Sequence, residues 1–309
     1  MTITAAMVKE LRERTGVGMM DCKKALVECD GNMDAAIEFL RKKGMATAQK
    51  KASRIAAEGL TTVLISEDQK HGAIVEVNSE TDFVAKNELF RTFVADVAAQ
   101  ALACGNIEME TFMASPWHLD TAQTVKDALV AKVAVIGENL QIRRYEVVDS
   151  PSYVGSYIHG GGRISALVSL ESEFVNDEVK SAAKDIAMQV ASMSPRYITR
   201  EDIPAEVLEH ERNILVEQAQ QDPKNAKKPL EILGKMVEGR LNKQMKDICL
   251  VDQIYFRDNE ITVGKYLEQV AKSVGCPIKV AYFVRYETGE GIEKKQEDFA
   301  AEVAKQMGM

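Results

Sequence analysis

Leu60-Thr61-Thr62-Val63-Leu64-Ile65 and Tyr153-Val154-Gly155-Ser156-Tyr157-Ile158 are the two stretches on which the fold turns. Each alternates as a half-buried strand does. Each is followed by a second apolar run at the same interval, Ala73 to Val77 and Ala166 to Leu170, so that a shift of 93 residues relates the two pairs. Helical patterns come next, Glu88 to Ala103 and Asp177 to Ser192, at a shift of 89. At a shift of 138, Thr124, Val125, Leu129 and Gly137 match Thr262, Val263, Leu267 and Gly275. Each copy closes on a strand, ending Arg144-Tyr145-Glu146 in one and Arg285-Tyr286-Glu287 in the other. Both halves thus read strand, strand, helix, helix, strand. A three-stranded antiparallel sheet with helices on one face is the economical way to bury such apolar faces. The expectation is an α+β chain with a duplicated core, one subdomain over 56–148 and the other over 149–199 with 247–288.

The copies differ in two places. Ten residues, Asn78 to Asn87, join the second strand of the first copy to its helix, whereas six, Glu171 to Asn176, serve in the second. The first copy therefore extends an arm, Ser79-Glu80-Thr81-Asp82-Phe83-Val84-Ala85. A phenylalanine amid polar residues is costly to leave wet and useful to bury in a partner's pocket. Phe83 either folds back onto its own sheet or meets a partner, and the residues alone leave both open. The second difference is an insertion. Only 20 residues lie between Ala103 and Thr124, but nearly 70 lie between Ser192 and Thr262. Within 200–246, Val207, Leu208, Ile214 and Leu215 repeat at seven, and Leu233, Val237, Leu241 and Met245 recur at four. The polar turn from Asp222 to Pro229 separates them. This is an antiparallel helical hairpin projecting from the core, its stripes packing on each other first and on a dimer mate or partner second.

At the amino end, over 1–55, Thr4 caps a helix carrying Met7, Val8 and Leu11, and Gly16 and Gly18 punctuate a turn. A second helix starts near Asp21 with Cys22, Ala25, Leu26 and Cys29, and a third carries Ala36, Ile37 and Leu40 until Gly44 stops it. So small a module has little core of its own, and docking is its natural use. Met45 to Ala57, with Lys50, Lys51 and Arg54, reads as a linker or frayed helix. The end of the chain, 289–309, follows Gly289 and Gly291 as one amphipathic helix with Ile292, Phe299, Val303 and Met307 on a side.

No chemistry is nominated. With 47 acidic against 39 basic residues the net charge is -8, which disfavours nucleic acid as a direct ligand. The four histidines, His71, His118, His159 and His210, fall in separate segments with no metal-binding or nucleophile motif around them. Gly16-Val17-Gly18 lacks the rest of a phosphate loop. Gly160-Gly161-Gly162-Arg163 could cradle an anion, but between antiparallel strands glycines are the ordinary turn solution. Trp117 and His118 read as a packed loop anchor. Cys22, Cys29, Cys104, Cys249 and Cys276 form no CxxC pair and suit a reducing compartment as small buried hydrophobes. No run of apolar residues is long enough to span a bilayer and no leader pattern opens the chain, so the expected place is the cytoplasm. The expectation is a modular acidic protein that binds other proteins, without cofactor, metal or catalytic residue of its own.

Longer runs carry a resemblance. Val8-Lys9-Glu10-Leu11-Arg12-Glu13-Arg14-Thr15-Gly16-Val17-Gly18-Met19-Met20-Asp21-Cys22-Lys23-Lys24-Ala25-Leu26 resembles the amino-terminal signature of the elongation factor Ts family. Glu76-Val77-Asn78-Ser79-Glu80-Thr81-Asp82-Phe83-Val84-Ala85-Lys86 is similar to the same family, as are Gly155 to Gly160, Lys235 to Arg240 and Asp298 to Ala304. The resemblance spans essentially the whole chain. It implies a ubiquitin-associated-like amino-terminal module, a two-part core, an inserted hairpin and a carboxy-terminal helix. It also implies a guanine nucleotide exchange factor that binds elongation factor Tu in its GDP form and speeds GDP release. Carried over to this sequence, Thr81, Asp82, Phe83 and Val84 form the exchange wedge beside the partner's magnesium and nucleotide, with Phe83 between partner helices. Lys9, Met236, Val237, His159 and Phe299 resemble further partner contacts. A homodimer through the core or the hairpin is left open. The sequence departs from the family at Ser165, where glycine is common, and in a somewhat long hairpin turn. Two other classes compete: a clamp that holds a partner without altering its ligand, and an RNA-binding translation accessory.

Overall fold

The computed structural model describes residues 3–222 and 229–293; the hairpin turn over 223–228 and the tail helix around Phe299 lie outside the described residues. Three helices open the chain: α1 (Ala5–Thr15), α2 (Met19–Glu28) and α3 (Met33–Lys51). The Thr4 hydroxyl accepts from the Met7 N–H and Asn32 does the same for Ala35, while Gly16 takes the left-handed conformation that ends α1. Leu11, Cys22, Ala25, Leu26, Ala36 and Leu40 close the small core.

Gly44 does not stop α3. It is buried inside the helix, facing Ala134 and Val130, and of the segment read as a linker or frayed helix the part up to Lys51 is helical. Glycine costs a helix ~1 kcal/mol relative to alanine. Packing along a helix of the core outweighs that local cost, and the Arg41–Asp127 ion pair at 3.0 Å reinforces it.

The first copy runs β1 (Glu58–Ile65), β2 (His71–Ser79), α4 (Asp82–Ala85), α5 (Glu88–Cys104), α6 (Met109–Ala114), β3 (Pro116–Trp117), β4 (Asp120–Thr124), α7 (Val125–Ile136) and β5 (Gln141–Asp149). The second runs β6 (Tyr153–His159), β7 (Ile164–Ser172) and α8 (Asp177–Met193). The hairpin α9 (Ala205–Gln221) and α10 (Leu230–Ile248) interrupts it, and β8 (Ile254–Tyr255), β9 (Asp258–Thr262), α11 (Val263–Val274) and β10 (Ile278–Glu287) complete it. Both main sheets are antiparallel, ordered β1-β2-β5 and β10-β7-β6. The repeat extends to its capping: Thr124 and Thr262 cap α7 and α11, and Gly137 and Gly275 end them with the same φ of 83°. The small hairpins β3–β4 and β8–β9 were not legible in the sequence, because one strand of each has only two residues and carries no period.

Helices cover one face of each sheet, as expected, but the other faces are not bare. Along β2, Ala73, Val75 and Val77 point to the helices and Ile74 to the second sheet, where it meets Leu167, Val154 and Val284. The two sheets pack face to face, giving helix, sheet, sheet, helix. Period-two alternation then drives Glu76 into the joint, fully buried. Its carboxylate accepts from Arg143 (3.0 Å), Arg144 (2.6 Å), Asn78 (3.0 Å) and the Gly289 N–H (2.7 Å). Desolvation raises its pKa, but the Gly289 N–H, Asn78 and Arg144 outweigh that and hold it below the ordinary glutamate value.

The glycine run 160–162 is the turn between β6 and β7, and Gly162 also docks on β1. With φ of +107°, it has its Cα so close to Leu60 and the Thr61 carbonyl that a Cβ would lie 2.9 Å from each. The Thr61 N–H donates to the Gly162 carbonyl at 2.7 Å, and the Thr61 hydroxyl lies 2.9 Å from that of Ser165. Ser165 thus bonds across the two sheets. In the inserted hairpin, Leu215 and Ala219 of α9 pack on Val237, Leu241 and Met245 of α10, and Arg212 pairs with Glu238 at 2.7 Å.

Candidate partner-binding site

The arm at the end of β2 is a braced turn of helix. Glu138, just after the Gly137 cap of α7, receives three hydrogen bonds from the arm's root: Glu80 N–H (3.1 Å), Thr81 N–H (3.0 Å) and the Thr81 hydroxyl (2.7 Å). Glu80 in turn accepts from the Asn139 N–H at 2.6 Å and pairs with Arg54 at 3.4 Å. Thr81 caps α4 at the Val84 N–H, and Asn87 caps α5 at the Leu89 N–H. With both ends fixed, Val84 and Ala85 are turned into the core and Phe83 is turned out, 79% exposed. Phe83 therefore does not fold back onto its own sheet.

Asp82 pairs with Lys86 at 2.7 Å, and this hydrogen bond, aided by the ammonium charge, holds the carboxyl below its ordinary pKa. The Lys86 ammonium lies 5.9 Å from the Phe83 ring centroid. An exposed, solvent-screened pair of this sort contributes little to stability, so a competing ligand can draw Asp82 away. Burying the Phe83 ring in a partner would return ~1.5–3 kcal/mol.

The other sequence-predicted residues sit on separate elements. Lys9 is exposed on α1, paired with Glu13 at 3.7 Å. His159 is exposed at the end of β6, with its Nδ1 3.1 Å from the Tyr157 hydroxyl. Met236 is half-buried on α10. Val237 and Val84 are buried, so neither presents its side chain: the stripe at four that marks the hairpin's seam places Val237 in that seam. Phe299 lies outside the described residues. Glu138, Glu80 and Asn139 were missed, although one signal was available: Glu138-Asn139 follow the first copy's helix cap, where the second copy has Cys276-Pro277.

Cys22, Cys249 and Cys276 are buried, and Cys29 and Cys104 are partly so, all as free thiols. Trp117 packs against Phe93 at 6.0 Å, the anchor role expected for it. Among the described residues, no three His, Cys, Asp or Glu side chains are grouped to hold a metal ion, and no helix is long and apolar enough to cross a membrane.

The sequence profile described as "Elongation factor TS" matches residues 80–290, from the root of the arm to the end of the second copy. Elongation factor Ts of Clostridioides difficile (strain 630) is 48% identical over 305 residues, covering 99% of both chains. Those of Clostridium novyi (strain NT) and Clostridium tetani (strain Massachusetts / E88) are 49% and 50% identical over 307 and 306 residues, again covering 99% of each. The chain belongs to the elongation factor Ts family. Members of that family act in translation elongation as nucleotide exchange factors and not as enzymes.

Proposed function

We propose that the protein is a cytoplasmic guanine nucleotide exchange factor that binds elongation factor Tu in its GDP form and releases the GDP by inserting the arm beside the partner's magnesium and nucleotide. The observation that carries this reading is Phe83, 79% exposed on a turn whose backbone is pinned on both sides. In this reading Phe83 parts the partner's helices. Asp82 leaves Lys86 and competes for the groups that order the metal, which belongs to the partner. Thr81 and Val84 hold the turn. Lys9 on a ubiquitin-associated-like module, His159, the α10 flank at Met236 and Val237, and the tail helix at Phe299 are further contacts. The hairpin, or the core, is also where a homodimer would form.

The physical logic is linkage. Factor and nucleotide each bind the GTPase and each weakens the other, and the coupling is reciprocal. An acceleration of ~10³-fold requires ~4 kcal/mol of differential binding, within reach of one buried aromatic and a few polar contacts. The test is the rate of labelled GDP release from elongation factor Tu. Wild type is expected to accelerate it strongly, and Phe83→Ala to lose ~10²-fold of that while melting as wild type does. Binding without acceleration by wild type would leave a clamp in place of an exchange factor.

A further inference from the structure

The duplication places one polar cluster of the second copy beside an altered counterpart in the first. In the second copy Asp185 on α8 is buried. It accepts from the Tyr255 hydroxyl (2.9 Å), the Tyr266 hydroxyl (3.1 Å) and the Arg257 guanidinium (2.7 Å), with the two tyrosine rings stacked at 4.2 Å. The shifts that align the copies put Asp96, Trp117, Ala128 and Leu119 at these four positions. The carboxylate is kept, both hydroxyls and the guanidinium are gone, and the Trp117 indole that replaces one hydroxyl makes no hydrogen bond to Asp96 among the described residues. Phe93, standing where the second copy has Ala182, restores part of the lost ring volume but brings no donor. A cleft of ≈ 240 Å³ results, bounded by Asp96, Trp117, Leu119, Ala128 and Leu89, with Gly16 of the amino-terminal module opposite.

Asp96 takes part in no hydrogen bond or ion pair among the described residues, and burial raises its carboxyl above the ordinary aspartate pKa. Nearby charges do not neutralise the cleft. His118 and Lys132 both pull the Asp96 carboxyl down without offsetting its burial; the Lys132 ammonium lies 5.9 Å from the Phe93 ring centroid, His118 packs edge-on against Trp117, and Asp120 accepts from the Ala122 N–H and the Gln123 amide. Asp96 and Asp120 thus line the cleft with the one ammonium of Lys132, beside aromatic side chains and flanked by His118.

We propose that this cleft is an arginine-binding site that takes a guanidinium side chain of the partner protein. A guanidinium is planar and stacks on aromatic rings while its N–H fork pairs with a carboxylate, so one group supplies what Tyr266 and Arg257 supply in the second copy. Leu89 at the rim belongs to the first turn of α5, directly after the arm, and Gly16 belongs to the module across the cleft. A partner covering arm and module passes over it. The source of the arginine rests on the exchange reading; the chemistry of the cleft does not.

Trp117 is the only tryptophan in the chain, so its fluorescence reports the cleft directly. Phenylguanidine, which joins a ring to a guanidinium, is expected to give a saturable change with the full-length protein, and neutral phenylurea none. Asp96→Asn should weaken phenylguanidine at least tenfold. Ala128→Tyr with Leu119→Arg, which restores two of the second copy's three donors and leaves Trp117 as the reporter, should abolish the response in a protein that still melts cooperatively. Equal responses to the two probes, or none from wild type, would overturn the site. In the second arm, Asp96→Asn should weaken the complex with nucleotide-free elongation factor Tu about tenfold. Unchanged affinity in a variant that has lost phenylguanidine binding would overturn the partner's arginine as the ligand. Failure of wild type to speed GDP release, with the complex formed and sensitive to Asp96, would count against exchange and not against the cleft.

Discussion

At the same point in the two sheets a central strand hands over to its long helix, through residues 80–86 in the first copy and 173–175 in the second. The four extra residues make one helical turn, and Glu138 holds it. Where the first copy has Glu138 the second has Cys276, its sulfur 3.2 Å from the Ser172 hydroxyl, and the junction there is short. Both junctions expose a phenylalanine, Phe83 at 79% and Phe174 at 60%. Exposure is therefore not the difference. Phe83 rides on a capped turn with two buried residues beneath it, whereas the Phe174 link is held by a bond from Ser172 to its carbonyl and by the Asn176 cap of α8, with no helical turn and no carboxylate brace between them. A side chain fixed before its partner arrives loses less freedom on binding, and the first copy builds that fixation from a glutamate and a turn.

The joint between the sheets carries a second difference, and the largest expected effect. At the position of Glu76 the second copy has Ser169, small and neutral. Only the first copy sends a carboxylate across to bind the chain where it leaves β10, at Gly289. Glu76→Gln should destabilise the protein by ~2–3 kcal/mol in denaturant unfolding at neutral pH, toward the low end for a broken buried pair because both arginines are partly solvated. The pH dependence separates charge from shape. A folded-state pKa below the unfolded value of ~4.3 means stability present above that pH and lost as pH falls through the folded value. The gap between wild type and variant should therefore narrow below about pH 4.3. A gap constant from pH 7 to pH 3 would show that shape, not charge, was lost.

Glu138 offers the middle-sized effect, on exchange rather than stability. Glu138→Gln keeps the size and removes the charge that strengthens three hydrogen bonds at the arm's root. We expect acceleration of GDP release to fall about tenfold, ~1.4 kcal/mol, with little change in melting. In a Phe83→Ala background the same substitution should cost almost nothing more, since both act through one ring. Equal losses in both backgrounds would mean that Glu138 acts elsewhere than on the arm.

The duplication and its long elements were legible because they rest on strong periods, on the Thr124 and Thr262 caps and on the Gly137 and Gly275 stops. The arm was legible by subtraction of one copy from the other. What escaped was decided by contacts distant in sequence. Gly44 reads as a helix stop until α7 lies against it, and Glu138 reads as a loop residue until Thr81 arrives from 57 positions upstream. The buried faces between the sheets could not be foreseen from alternation alone, which tells inside from outside but not what the second face meets. At Val237 the family likeness points to a partner contact, while the residue's own helical period places its side chain in the hairpin seam, where it is buried.

The smallest effect is the sharpest check on the idea that bracing, not exposure, makes the arm. Phe174→Ala removes an exposed phenylalanine of nearly the same accessibility as Phe83, from the equivalent junction. Surface substitutions away from special features usually change stability by no more than ~0.5 kcal/mol, so melting should be unchanged. Acceleration of GDP release should stay within twofold of wild type, because the short link lacks the helical turn and the carboxylate brace that carry Phe83. A loss comparable to that of Phe83→Ala would mean that the second copy also docks through its junction. The four-residue extension would then serve reach rather than rigidity.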